Sequence, residues 1–299
     1  MAFHPTWHIH PADSSLKPTF SLLTRTQVSS LLRFYDIPHP TRPGHILTGY
    51  DKPHALRTTR MCVAVAEHLG HPISRLRPFE TACLLHDMGR VGLRPKLFGQ
   101  IWSWAKEQGI PTRPREWRAC HPDTRYGKES EAFIRLYKQS LVKQGLTLNQ
   151  EVRDHIDMRL GFAKRLRRQL PLLKSRVREL DLPWMPWMGQ IMLYYYYPEK
   201  LERVRPWVRQ LAEILVGCEQ LEAYSNQRRG KDYYARSEES FPAAFEYLRT
   251  LTRNGILSAP VLEAIVRLAR EGHFMDILRQ ARGGRLTNAD QRFLRTLTA

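Results

Sequence analysis

The sequence predicts an all-α fold, and three observations carry the prediction. From Lys52 onward, apolar residues recur at three- and four-residue spacing through segment after segment. Prolines fall at expected first helical positions and glycines just past the last ones. No stretch alternates between apolar and polar residues for long enough to make a strand.

Residues 1–50 are rich in Pro, His and Thr and form an N-terminal arm with one expected helix, 24–35. Ser21 or Thr24 can cap it, and Leu22, Leu23, Val28, Leu31 and Leu32 supply its apolar face. His4, His8 and His10 stand in this arm and are read as part of a mobile terminus, not as a metal cluster. Residues 38–44 read as an irregular connector.

The main domain is expected over 51–270. Pro53 and His54 open a helix that runs to Leu69, with Met61, Val65, Ala66 and Leu69 as its buried stripe and Gly70 at its end. Further helices are expected over 78–86, 96–108, 114–120, 129–144, 148–160, 201–225 (kinked at Pro206), 241–253 and 260–270. Residues 271–299 read as a small terminal helix and tail.

Residues 161–205 stand out. Over 159–180, Arg159, Lys164, Arg165, Arg167, Arg168, Lys174, Arg176 and Arg178 face a single acid, Glu179. Pro171 is expected to divide that run into two helical pieces. A solvated helix face explains such a run, and so does an electrostatic collar for a phosphate-bearing ligand or nucleic acid. Tryptophans, methionines and four consecutive tyrosines follow over 184–197, a density typical of a core or an interface.

The chain has 299 residues, a formal net charge of +18 and 42% hydrophobic residues, enough for a substantial core and suited to anionic partners. Its most apolar window, 184–197, is shorter than the roughly 20 residues a membrane span needs. No signal peptide is visible, and four dispersed cysteines without a CxxC pair fit reduced thiols. A soluble cytoplasmic protein is the expectation.

The chemistry centres on Ala82-Cys83-Leu84-Leu85-His86-Asp87-Met88-Gly89-Arg90-Val91-Gly92. A His-Asp pair at a helix end can converge on one cation, although an isolated pair is more often a plain surface helix end. His54, His86, Asp87, His121, His155 and Glu219 are the candidate metal ligands, four imidazoles and two carboxylates on or beside helices. Such a set can fill a two-metal site with one bridging carboxylate, holding iron, manganese or a similar divalent ion.

The segments from His54 to Gly70 and from Ala82 to Leu93 resemble the HD superfamily of metal-dependent phosphohydrolases, and more closely its HD-GYP branch, whose best-known members hydrolyse cyclic di-GMP. His121-Pro122, His155, the 214–223 segment with Glu219, Arg228, the 240–248 helix and Ala259-Pro260 continue the pattern, so the resemblance covers roughly 52–270. It departs from the branch at Ile156, which replaces the second His of a pair, and in lacking the Gly-Tyr-Pro signature.

The resemblance implies an HD helical bundle with HD-GYP-like C-terminal helices and 161–205 as a divergent insertion. It also implies a binuclear phosphodiesterase. His54, His86, Asp87 and Glu219 would hold one ion, while Asp87 bridges to a second ion held by His121 and His155. Arg90 would take a phosphate oxygen; the basic run, read as a collar, adds Arg159, Lys164 and Arg165 as expected substrate contacts. The implied partner is a phosphate-bearing small molecule such as a cyclic dinucleotide, with a homodimer or a signalling protein as further company. The alternatives are a non-catalytic module that binds a cyclic nucleotide or a protein, and direct nucleic-acid binding through 159–180.

Overall fold

A computed structural model of the chain describes residues 7–8, 19–39, 42–225 and 240–298. His4, His10 and Arg228 lie outside the described residues. Fourteen α-helices fall within them: α1 Arg25–Leu32, α2 Lys52–His68, α3 Ile73–Leu84, α4 Pro95–Glu107, α5 Pro114–Cys120, α6 Glu129–Lys143, α7 Gln150–Asp157, α8 Phe162–Glu179, α9 Pro186–Ile191, α10 Pro206–Ser225, α11 Phe241–Arg253, α12 Ala259–Arg270, α13 Met275–Ala281 and α14 Asn288–Arg295. The all-α expectation holds. None of these helices is long and apolar enough to cross a membrane.

Helix α2 is the axis of the fold. It packs against α3 on one side and α10 on the other, and α10 carries α11 and α12. The stripe Met61, Cys62, Val65 and Ala66 supplies α2's share of this core, facing Phe79 and Cys83 of α3 and Ile214, Cys218 and Leu221 of α10. A second core joins α4 to α7 around Trp102, Trp117 and Phe133. A third seats α1 and α8 against the junction of α2 and α3, through Leu31, Leu85, Met88, Phe162 and Leu166. Much of 184–197 is core material: Met188, Ile191 and Tyr194 are buried in the first cluster and Trp184 and Trp187 pack partly buried against it, while Met185 is exposed.

Prolines account for three differences from the sequence reading. Helix α8 runs unbroken through Pro171, because the hydrogen bond given up there lies on an exposed side of the helix. Helix α3 begins at Ile73 and contains Pro78 in its interior. Pro206 begins α10 and does not kink it, the first-turn position where a missing N–H costs nothing. Four short strands are also present, Trp7–His8 paired with Thr19–Phe20 and Ile37–Pro38 paired with Ile46–Leu47, all antiparallel. At two residues each, they are too short to leave an alternating pattern in the sequence. The C-terminal segment forms two helices, α13 and α14, where one was expected.

Candidate metal centre

Helix α3 is driven inward by Ala82, Cys83, Leu84 and Leu85, all fully buried, so the His-Asp pair that follows ends inside the protein. The chain then turns through a short 3-10 segment, Met88–Arg90. Gly89 is required in that turn. A Cβ there would meet the Phe162 ring at 2.5 Å, so the turn packs directly on α8. Arg165 of α8 completes the seat by donating to the carbonyls of Gly89 at 2.7 Å and Val91 at 2.8 Å. From the other side, the first turn of α2 supplies His54. Asp51, at its N-cap position, makes no side-chain cap bond; its carboxylate faces Arg90 at 3.5 Å.

The geometry converges on one carboxylate oxygen. Asp87 Oδ2 lies 3.6 Å from His54 Nε2, 3.8 Å from His86 Nε2 and 3.3 Å from Arg90 Nη1. The three ligating atoms all lie within 4.8 Å of one another. Two ligand atoms about 2.1 Å from a tetrahedral ion stand roughly 3.4 Å apart, so a small contraction would close these three on a metal. Both imidazoles have their tautomer set from behind. His54 donates from Nδ1 to Glu222, and His86 donates from Nδ1 to the Cys83 carbonyl at 2.7 Å. Each Nε2 therefore presents a lone pair, and neither has a hydrogen-bond partner although both atoms are buried. A buried polar atom without a partner is costly, and a cation among these three side chains would satisfy both imidazoles.

The surroundings hold charge in place. Arg57 donates to Glu222 at 2.6 Å, and both side chains are buried. Burial alone would push the Arg90 guanidinium down, but Asp51 and Asp87 outweigh it and hold the group firmly charged. Tyr35 donates to the Leu84 carbonyl at 3.0 Å and accepts from the Asp87 amide at 3.3 Å. Burial, with the charges of Asp87 and Asp51, holds its phenol well above the usual range, so it stays neutral. Tyr196 is raised chiefly by burial and is also within range of Arg90, Asp87 and Glu219. A cavity of about 670 Å³ opens beside the centre, walled by Tyr35, Ile37, Leu47 and Leu93 and reaching Asp51 and Arg90.

Not every ligand expected from the sequence arrives. Among the described residues, His54, His86 and Asp87 are the one group of three or more such side chains whose ligating atoms come together. His155 is committed elsewhere. Its Nε2 accepts from the Arg94 amide at 2.9 Å and its Nδ1 donates to the Glu151 carbonyl at 2.7 Å, leaving no lone pair for a metal. His121 ends α5 and lies over Trp117, with ring centroids 4.2 Å apart. Ile156, in the place of the expected second His, is fully buried in the second core. The ligand set for a second ion is therefore not assembled.

Glu219 is half-buried on α10 and stands outside the group of three, though its charge is felt at Arg90 and Tyr196. The acid that reaches His54 is Glu222, one turn later. Sequence reasoning placed the role on Glu219, and the only signal for Glu222 was its position three residues on, the same helix face. Asp51, Arg57 and Tyr35 were also missed as parts of the centre.

The basic residues divide. Arg90 and Arg159 both lie over the Phe98 ring, at 5.6 and 5.9 Å, so Arg159 is close to the centre. Arg165 is the clamp on the Gly89–Val91 turn. Lys164 faces Glu131 at 3.7 Å and Asp157 at 3.9 Å, away from the three ligands. No family model, no curated protein and no solved structure matches this chain.

Proposed function

We propose that the chain is a metal-dependent phosphohydrolase of the HD type, holding one divalent ion through His54, His86 and Asp87. The observation that supports this most is the pair of buried imidazole Nε2 atoms, each without a partner, beside one Asp87 oxygen. Two imidazoles and a carboxylate suit iron, manganese or zinc. When bound, the ion supplies Lewis acidity toward a phosphoryl oxygen.

The chain's own residues do the rest. Arg90 lines the cavity and neighbours Asp87, so it is placed to take a non-bridging phosphate oxygen, bidentately if both amino groups turn to it. Glu222 keeps the His54 Nδ1 proton in place, which leaves Nε2 as the ligating atom. Tyr35 remains protonated and holds the backbone of Asp87 through its amide. The substrate is a phosphate-bearing small molecule, a cyclic dinucleotide among the candidates, with its non-phosphate part against Tyr35, Ile37 and Leu47.

The test is metal analysis of the purified chain, followed by turnover of bis-p-nitrophenyl phosphate and cyclic dinucleotides. Wild type should carry close to one ion per chain, and Asp87→Ala should lose both metal and turnover. One observation favours a second reading, a binding module without catalysis: Arg90 already spans Asp87 and Asp51, and among the described residues one ion's ligands assemble. Wild type that holds metal yet turns over nothing on the panel would remove the first reading. Wild type that binds no metal would remove the first reading, and cyclic-dinucleotide binding that survives loss of metal would favour the second.

A further inference from the structure

We propose that the solvent-facing side of α8 binds the phosphodiester backbone of a nucleic-acid duplex. The structure separates the basic run into cations already engaged and cations that are not. Lys164, Arg165 and Arg176 each face an acid, and Arg165 also clamps the Gly89–Val91 turn. Arg167, Arg168, Lys174 and Arg178 are exposed and make no ion pair with any described residue.

Their spacing matters. Arg167, Lys174 and Arg178 stand at i, i+7 and i+11, which puts them on one line along the helix, while Arg168, also exposed, stands about 100° round the helix from it. At a rise of about 1.5 Å per residue, the line is roughly 16 Å long. A duplex presents a negative charge about every 1.7 Å of its axis, so the three cations of the line can each meet a phosphate, and Arg168 on the neighbouring exposed surface can meet a fourth. The lone acid of the run, Glu179, is already held by Arg176 at 2.7 Å.

Two other anionic partners fit less well. An anionic membrane is bound by a helix that buries an apolar face in it, but Phe162, Leu166, Leu173 and Val177 of α8 are already buried in the protein. A single strand is held by exposed aromatic rings on which bases stack, and the exposed side of α8 carries Leu172 and no aromatic residue.

The test measures binding of the full chain to labelled 20-base-pair DNA and RNA duplexes, the corresponding single strands and anionic phospholipid vesicles, across salt. Four phosphate contacts give a slope of about −3.6 in log affinity against log salt, or roughly a 150-fold loss from 50 to 200 mM. Replacing Arg167, Arg168, Lys174 and Arg178 together by Gln should weaken duplex binding by about two orders of magnitude and flatten the slope. A control variant replaces Arg270, Arg285, Arg292 and Arg295 by Gln, exposed cations elsewhere, and so removes the same four charges. It should bind like wild type. Comparison of the two duplexes shows whether DNA or RNA is preferred. The proposal is overturned if the control loses as much as the α8 variant, if the wild type binds vesicles or single strands in preference to both duplexes, or if it binds no duplex at low salt.

Discussion

Replacing Glu222 by Gln probes the centre from behind. The Glu222 side chain is fully buried and accepts from two donors, His54 Nδ1 and the Arg57 guanidinium. Gln keeps the length and one carbonyl oxygen but removes the charge. Two effects follow, on separate observables. First, His54 loses the carboxylate that fixes its tautomer and ring orientation, which for metal-bound histidines costs 10–100-fold in affinity, about 1.4–2.7 kcal/mol. Second, buried Arg57 loses its counter-charge, a change worth about 3 kcal/mol of stability, the low end for a broken buried pair because one hydrogen bond to the Gln carbonyl survives. The assay is competitive chelator titration for metal affinity, with urea unfolding of the metal-free chain beside it. Glu219→Gln is the comparison and should shift metal affinity by less than about threefold. The reasoning is refuted if Glu222→Gln holds metal like wild type while Glu219→Gln loses it, since the ligand assignment on α10 would then be reversed.

Gly89→Ala should destabilise the fold by about 1–3 kcal/mol in urea unfolding, because its Cβ would enter the Phe162 ring. The double variant with Phe162→Leu should recover part of the loss, and no loss in the single variant would show that the turn shifts freely. His155 has its pKa lowered, mainly by burial. The folded form therefore binds its proton less readily than the unfolded chain, so this contribution to stability is present above the unfolded value of about 6.5 and is lost as pH falls below it. In His155→Gln, unfolding free energy should depend less on pH between about 5 and 7, with metal content unchanged. A drop in metal content would return His155 to the site.

How much could be read beforehand differs between residues for physical reasons. His54, His86 and Asp87 were legible because two short segments on neighbouring helices carry them, and helix period plus a glycine turn fix their local geometry. His121 and His155 were not, because their convergence depends on how α4 to α7 pack as a separate cluster around Trp102 and Trp117. That packing turns His155 toward the Arg94 amide. The choice between Glu219 and Glu222 rests on the rotation of α10 about its axis, which is set by Leu211, Ile214, Cys218 and Leu221 against α2. Proline gave an ambiguous signal. Pro171 and Pro206 look alike in sequence, but one stands inside a helix and the other begins one.

Arg165 joins two parts of the molecule that chemistry would otherwise leave independent. Its guanidinium grips the turn between Asp87 and Val91, while its backbone belongs to the helix that carries the exposed cations. Thermodynamic linkage then governs any traffic between them. If a polyanion on α8 altered metal affinity by some factor, metal would alter polyanion affinity by the same factor and in the same sense. Measuring either equilibrium with and without the other ligand gives the coupling energy, and Arg165→Met reports how much of it passes through this one side chain.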